Sequence, residues 1–168
     1  DYFFQKASFL ARLGSGSACR SVKGSVVVWG NHTNIEGSSD LFGVEFPNKI
    51  HDNFKNFQDT ILLVDKGEKQ VSSTIGHDLM HNHPFAKRRF AQAHENLDNL
   101  IAVFENGNVD EFIAIVDSEA LSLPARMMTS LHSFILQPPN TVQCMRSTWQ
   151  LRTEKHIHVN LQRDAGAK

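Results

Sequence analysis

The chain has 168 residues, 40% hydrophobic and 21% charged, with a formal net charge of −1, enough for one good core or two small lobes sharing an interface. This balance offers no basic excess to attract nucleic acid, and no apolar run is long enough to span a bilayer. Cys19 and Cys144 stand far apart without metal-site spacing, which predicts reduced thiols in a cytoplasmic protein.

The chain opens at Asp1-Tyr2-Phe3-Phe4 with neither an initiator methionine nor a signal-peptide pattern, so a fragment is expected. A short lead-in from Gln5 runs into Gly14-Ser15-Gly16-Ser17-Ala18-Cys19-Arg20-Ser21, where a small-residue turn precedes a helix expected from about Ser17 that buries Ala18 and Val22. Gly14 and Gly16 suit positive-φ turns and close approach of a ligand to main-chain N–H groups. Ser15 and Ser17 add hydroxyl donors. The helix start favours a phosphate or carboxylate, and Arg20, almost one turn later, can grip a planar carboxylate with two parallel hydrogen bonds. The same residues also suit a plain helix cap with no ligand. The segment lacks the Gly-Lys-Ser/Thr ending of a P-loop and the Gly-x-Ser-x-Gly of a nucleophile elbow. Cys19 reads as a small packing residue.

Val26 to Gly30 reads as a strand, and the turn-rich stretch Asn31 to Lys55 as a connecting excursion that ends a first lobe near residue 56. Asp59 to Asp65 is a continuous apolar run, predicted as a buried strand opening a second lobe over 57–168. Ser72, Ser73 and Thr74 can cap a helix starting near Gly76 and running to about Glu105. Pro84 should kink or restart it, Phe85, Phe90, Leu97, Leu100 and Ile101 should be buried, and Gly107 should end it. A helix capped by Asn108 or Asp110 buries Phe112, Ile113, Val116, Ala120, Leu121 and Leu123 and is interrupted at Pro124, before Met127 and Met128, which read as core. After Pro138-Pro139, a helix over about Thr141 to Lys155 precedes a short strand, Ile157 to Leu161. This order implies an α+β lobe with helices packed on one face of an antiparallel sheet.

The Gly-Ser-Gly-Ser-Ala-Cys-Arg-Ser loop, Gln70-Val71-Ser72-Ser73-Thr74-Ile75-Gly76-His77, Met127-Met128-Thr129-Ser130 and Asp164-Ala165-Gly166 occur in one order. Together they resemble the diphosphomevalonate decarboxylases of the GHMP small-molecule kinase superfamily, over nearly the whole chain. The resemblance implies a GHMP kinase-like fold: part of an N-terminal lobe, then a C-terminal lobe. It also implies ATP, Mg²⁺ and mevalonate 5-diphosphate as ligands, and ATP-dependent decarboxylation to isopentenyl diphosphate in isoprenoid biosynthesis. Gly14, Ser15, Gly16 and Ser17 match the loop that holds the ATP phosphates, with Ser17 near Mg²⁺. Arg20 matches the arginine that binds the substrate carboxylate. Ser72 and Ser73 match a stretch that approaches the substrate phosphates, and Asp164 matches the catalytic aspartate. On local sequence alone, Asp164 is a turn or capping residue.

Three departures stand out: Asn160-Leu161-Gln162-Arg163 in place of the usual Phe-Thr approach to the aspartate, Leu131-His132-Ser133 after Met-Met-Thr-Ser, and Ala167-Lys168 directly after Asp-Ala-Gly. The family's amino-terminal substrate segment and carboxyl-terminal portion have no counterpart in these residues, so the chain alone is expected to be inactive. Two other readings compete. His77 and His81 fall on one helical face and, with His83 and His94 or an acidic residue, could ligate zinc in a hydrolase. Alternatively, apolar helix stripes could support a non-catalytic, phosphate-binding or homodimeric fragment.

Overall fold

In the computed structural model of the chain, the residues described are 2–64, 82–131, 133, 135 and 137–161. They form two compact units, Asp1–Lys49 and Ile50–Lys168.

In the first unit, helix α1 (Tyr2–Gly14) occupies the stretch that the sequence suggested was only a lead-in. Phe4, Ala7, Ser8 and Ala11 recur at three- and four-residue spacing and turn inward, while Tyr2, Phe3, Leu10 and Leu13 stay exposed. The 3-10 helix η1 (Gly16–Ser21) comes next, and then strands β1 (Val27–Trp29) and β2 (Gly43–Glu45) pair antiparallel with Val28 opposite Val44. The intervening residues form a closed loop, tied by the Gly30 amide donating to the Ser39 carbonyl at 3.0 Å, with His32 and Ile35 buried beneath it. Ser8 holds the unit together. Its hydroxyl donates to the Cys19 carbonyl at 2.7 Å and accepts from the Gly43 amide at 2.9 Å. Gly43 must be small there, since a Cβ would lie 2.8 Å from Val27 Cγ1 and 3.0 Å from the Cys19 carbonyl oxygen.

The second unit begins before residue 56, because Phe54 packs against the helices of that unit. Helix η2 (Asp52–Phe54) is capped by His51, whose Nδ1 accepts from the Asn53 amide. Phe54 meets Phe104 edge-on at 5.2 Å and Phe112 at 5.3 Å. Phe57 stacks on Phe112 at 5.3 Å. Helix α2 (Ala86–Asn106) ends at Gly107 and α3 (Val109–Thr129) starts from Asn108. Gly107 has φ +81, and the His51 Nδ1 would lie 2.5 Å from a Cβ there. Asn108 accepts from the Glu111 amide and donates to its carboxylate, a reciprocal cap. Helix α4 (Pro139–Lys155) starts on a proline whose missing N–H costs nothing at that position.

Several expectations change. Pro124 does not interrupt α3, which continues to Thr129 with the proline buried inside it. Phe85 and Phe90 are 56% and 60% exposed, and α2 instead buries Val103 and Phe104 near its end. Leu121 is also exposed; of the methionine pair, Met127 is buried and Met128 is not. Residues 59–64 form no strand: Ile61, Leu62 and Leu63 are exposed, and the Val64 amide donates locally to the Leu62 carbonyl. A buried strand needs neighbours for its backbone groups, and none is present among the described residues. Residues 157–161 likewise form no strand, so the described antiparallel sheet belongs to the first unit. Instead, Asp117 anchors this segment: its carboxylate accepts from Arg152 at 2.7 Å, from the Trp149 indole at 3.2 Å and from the Leu161 amide at 3.2 Å. Among the described residues no helix is long and apolar enough to cross a membrane.

Candidate functional site

The Gly14–Ser17 segment lies where α1 ends and η1 begins, and all four residues are exposed. Ser15 is extended, with φ −154 and ψ 123, and its side chain makes no cap bond. Its amide donates back to the Ala11 carbonyl at 3.1 Å, and its carbonyl accepts from the Ala18 amide at 2.9 Å. The Gly16 and Ser17 amides, the first two of η1, precede its first hydrogen-bonded turn and have no partner within the helix.

Two features differ from the sequence expectation. The segment after Ser17 is a six-residue 3-10 helix, starting at Gly16, rather than an α-helix. Nor does Gly14 or Gly16 adopt a positive φ. Gly16 is small for another reason: a Cβ there would lie 3.0 Å from the Trp29 ring. At Gly14 a Cβ would meet nothing within 4 Å, so the space above the turn is open.

The 3-10 geometry bears on where Arg20 lies. Side chains three residues apart eclipse one another in such a helix, which puts Arg20 on the same face as Ser17; both are exposed, whereas Cys19 between them is buried. An anion at the turn would thus meet backbone donors, hydroxyls and a guanidinium on one side. The turn itself is braced by Ser8, which donates to the Cys19 carbonyl, and by Trp29 next to Gly16, whose indole donates to the Asp40 carbonyl at 3.0 Å. Neither support was apparent from the sequence, since nothing local links a serine in α1 or a strand tryptophan to the turn. Both cysteines are free thiols.

Ser72, Ser73 and Asp164 lie outside the described residues, as do His77 and His81. His83 is described, and its chemistry is structural. Nδ1 accepts from the Phe85 amide at 3.2 Å, so the ring proton sits on Nε2, which donates to the Arg126 carbonyl at 3.0 Å. With both nitrogens engaged, His83 has no lone pair left for zinc. Among the described residues no group of three or more histidine, cysteine, aspartate or glutamate side chains could hold a metal ion.

The architecture, helix-rich with a small antiparallel sheet, is similar in fold to solved mevalonate diphosphate decarboxylases. A mevalonate diphosphate decarboxylase from Legionella pneumophila matches with TM-score 0.71 and 23% identity over 97% of this chain. One from Staphylococcus aureus matches with TM-score 0.76 and 21% identity, also over 97%. The protein MDDEF, in complex with MVAPP, AMPPCP and magnesium, matches with TM-score 0.76 and 24% identity over 97%. In each case the chain spans 48% of the matched structure's length. No protein-family model matches the chain, and no curated protein matches it by sequence.

Proposed function

We propose that this chain forms part of an ATP-dependent decarboxylase of mevalonate 5-diphosphate, acting in isoprenoid biosynthesis in the cytoplasm. The observation carrying this reading is the exposed Gly-Ser-Gly-Ser-Ala-Cys-Arg-Ser turn within a fold that matches such enzymes over 97% of the chain. Because the chain spans about half of those structures, the complete reaction is assigned to a protein containing these residues.

The exposed turn is compatible with a phosphate ligand: space above Gly14 is open and η1 offers its first amides and the Ser15 and Ser17 hydroxyls. Gly14 to Ser17 would hold the ATP phosphates, with Ser17 beside Mg²⁺. When bound, ATP supplies the phosphoryl group for the substrate's tertiary hydroxyl, and Mg²⁺ offsets the phosphate charge. Arg20 binds the substrate carboxylate through its planar fork and orients it for loss as carbon dioxide. Asp164 accepts or orients the hydroxyl proton, while Ser72 and Ser73 donate to the substrate phosphates.

Equilibrium dialysis of the chain with radiolabelled ATP and Mg²⁺, with and without mevalonate 5-diphosphate, tests the binding half of this proposal. Saturable binding that weakens about tenfold in Ser17→Ala is expected, the loss of one hydrogen bond to a charged group being worth about 1.5 kcal/mol or more. Binding unchanged by Ser17→Ala would remove the turn from the nucleotide site.

A further inference from the structure

In the second unit, α2 and α3 enclose an open groove of about 540 Å³. Three guanidinium groups, Arg88, Arg89 and Arg126, line it together with Phe85, Leu121 and Ser122. Two of these cations have carboxylate partners. Arg88 binds Glu95 through two hydrogen bonds of 2.6 and 3.1 Å. Arg89 binds Glu119, whose second oxygen accepts from Asn96 at 2.7 Å. Arg126 has no carboxylate in contact among the described residues. Burial pushes its guanidinium below the ordinary value, the neighbouring Arg89 cation pushes it further, and Glu119 offsets only part of this.

The hydrogen-bond count agrees with the charge count. Arg89 Nε and Nη1 and Arg126 Nε are shielded from solvent and have no acceptor among the described residues, an arrangement that costs free energy for each donor. Among the described residues, three guanidiniums against two carboxylates leave a single positive charge. Exposed apolar side chains line the same groove, Phe85 beside Arg88 and Arg89 at the start of α2 and Leu121 on α3 with Arg126, with Phe85 56% and Leu121 38% exposed.

We propose that the groove between α2 and α3 binds an apolar-tailed carboxylate, with its head on Arg126 and its tail along Phe85 and Leu121. A singly charged head matches the one uncompensated cation. Its two coplanar oxygens match the guanidinium fork, and small side-chain rotations would turn the orphan N–H groups toward it. The tail covers apolar surface that is otherwise wet.

Calorimetric titration of the whole chain with octanoate tests the proposal. Acetate, lacking the tail, and 1-octanol, lacking the charge, serve as comparison ligands. Octanoate should bind the unmodified protein and bind Arg126→Met at least about thirtyfold more weakly, the usual loss when one member of a buried charged pair is removed. Acetate and octanol should each bind more weakly than octanoate. Arg126→Met alone should melt at or above the temperature of the unmodified protein, because it removes a buried charge lacking a partner; the lost binding is then not lost folding. Arg20→Met should leave octanoate binding unchanged, separating this groove from the Gly-Ser turn. The proposal fails if octanoate does not bind, if Arg126→Met binds it equally well, if octanol or acetate binds as tightly, or if Arg20→Met alone abolishes binding.

Discussion

Replacing Gly107 by alanine isolates what holds the α2–α3 turn in place. Gly107 sits at φ +81, so an alanine there incurs the left-handed penalty of about 1–2 kcal/mol. The new methyl would also lie 2.5 Å from His51 Nδ1, the atom that caps η2 by accepting from the Asn53 amide. Turning the ring away forfeits that cap, worth about 1 kcal/mol. The total is about 2–3 kcal/mol. With a urea m-value of about 2–3 kcal/mol/M, the unfolding midpoint followed by helical circular dichroism should fall by about 1 M. In a His51→Ala background the cap is already gone and the ring cannot clash, so Gly107→Ala should then cost only the conformational part. Equal costs in the two backgrounds would rule out the steric contribution of His51.

Further substitutions probe the other supports. Ser8→Ala removes an acceptor from the Gly43 amide and a donor from the Cys19 carbonyl in a buried setting, and should destabilise the first unit by about 2 kcal/mol or more. Thiol labelling of Cys19 should speed up accordingly; an unchanged rate would show that Ser8 does not hold η1. Asp117→Asn weakens a partly buried pair with Arg152 and should cost about 1–2 kcal/mol, with faster hydrogen exchange at the Leu161 amide as the diagnostic reading. Glu95 is held below the usual carboxylate value by the hydrogen bond from Arg88, opposed by desolvation and aided by the Arg88 charge. A lowered folded value means that this pair contributes above the ordinary carboxylate pKa and is lost as pH falls through the lowered one. A carboxyl titration followed by NMR should show that lowered midpoint, and Arg88→Gln should return it to the ordinary value.

Strong local chemistry was legible in the sequence: a cap at Asn108 or Asp110, of which Asn108 is the one used, Gly107 as a terminator, Val26–Gly30 as strand-forming, and the Gly-Ser-Gly-Ser turn as the junction between elements. What was not legible depended on distant partners. The apolar run Asp59–Asp65 has the composition of a buried strand, yet composition cannot supply the neighbouring strand that burial requires. Pro124 looked like a helix break because its local cost is real, but packing along α3 outweighs it. Helix α1 was hidden because its inward face is built on alanine and serine, and Ser8 gains its importance only from Cys19 and Gly43. At the Gly-Ser turn, the residues are exposed polar groups as their composition implies, but Gly16 is needed for a different reason, yielding space to Trp29 rather than turning the backbone.

Assignment to the decarboxylation reaction rests finally on release of labelled carbon dioxide from mevalonate 5-diphosphate carrying ¹⁴C at its carboxylate, with ATP and Mg²⁺, in the protein that contains these residues. Release should require ATP and fall by about a hundredfold or more in both Arg20→Met and Asp164→Asn, the scale expected for losing a positioned carboxylate clamp or proton acceptor. No release, or release unaltered by both substitutions, would contradict the assignment.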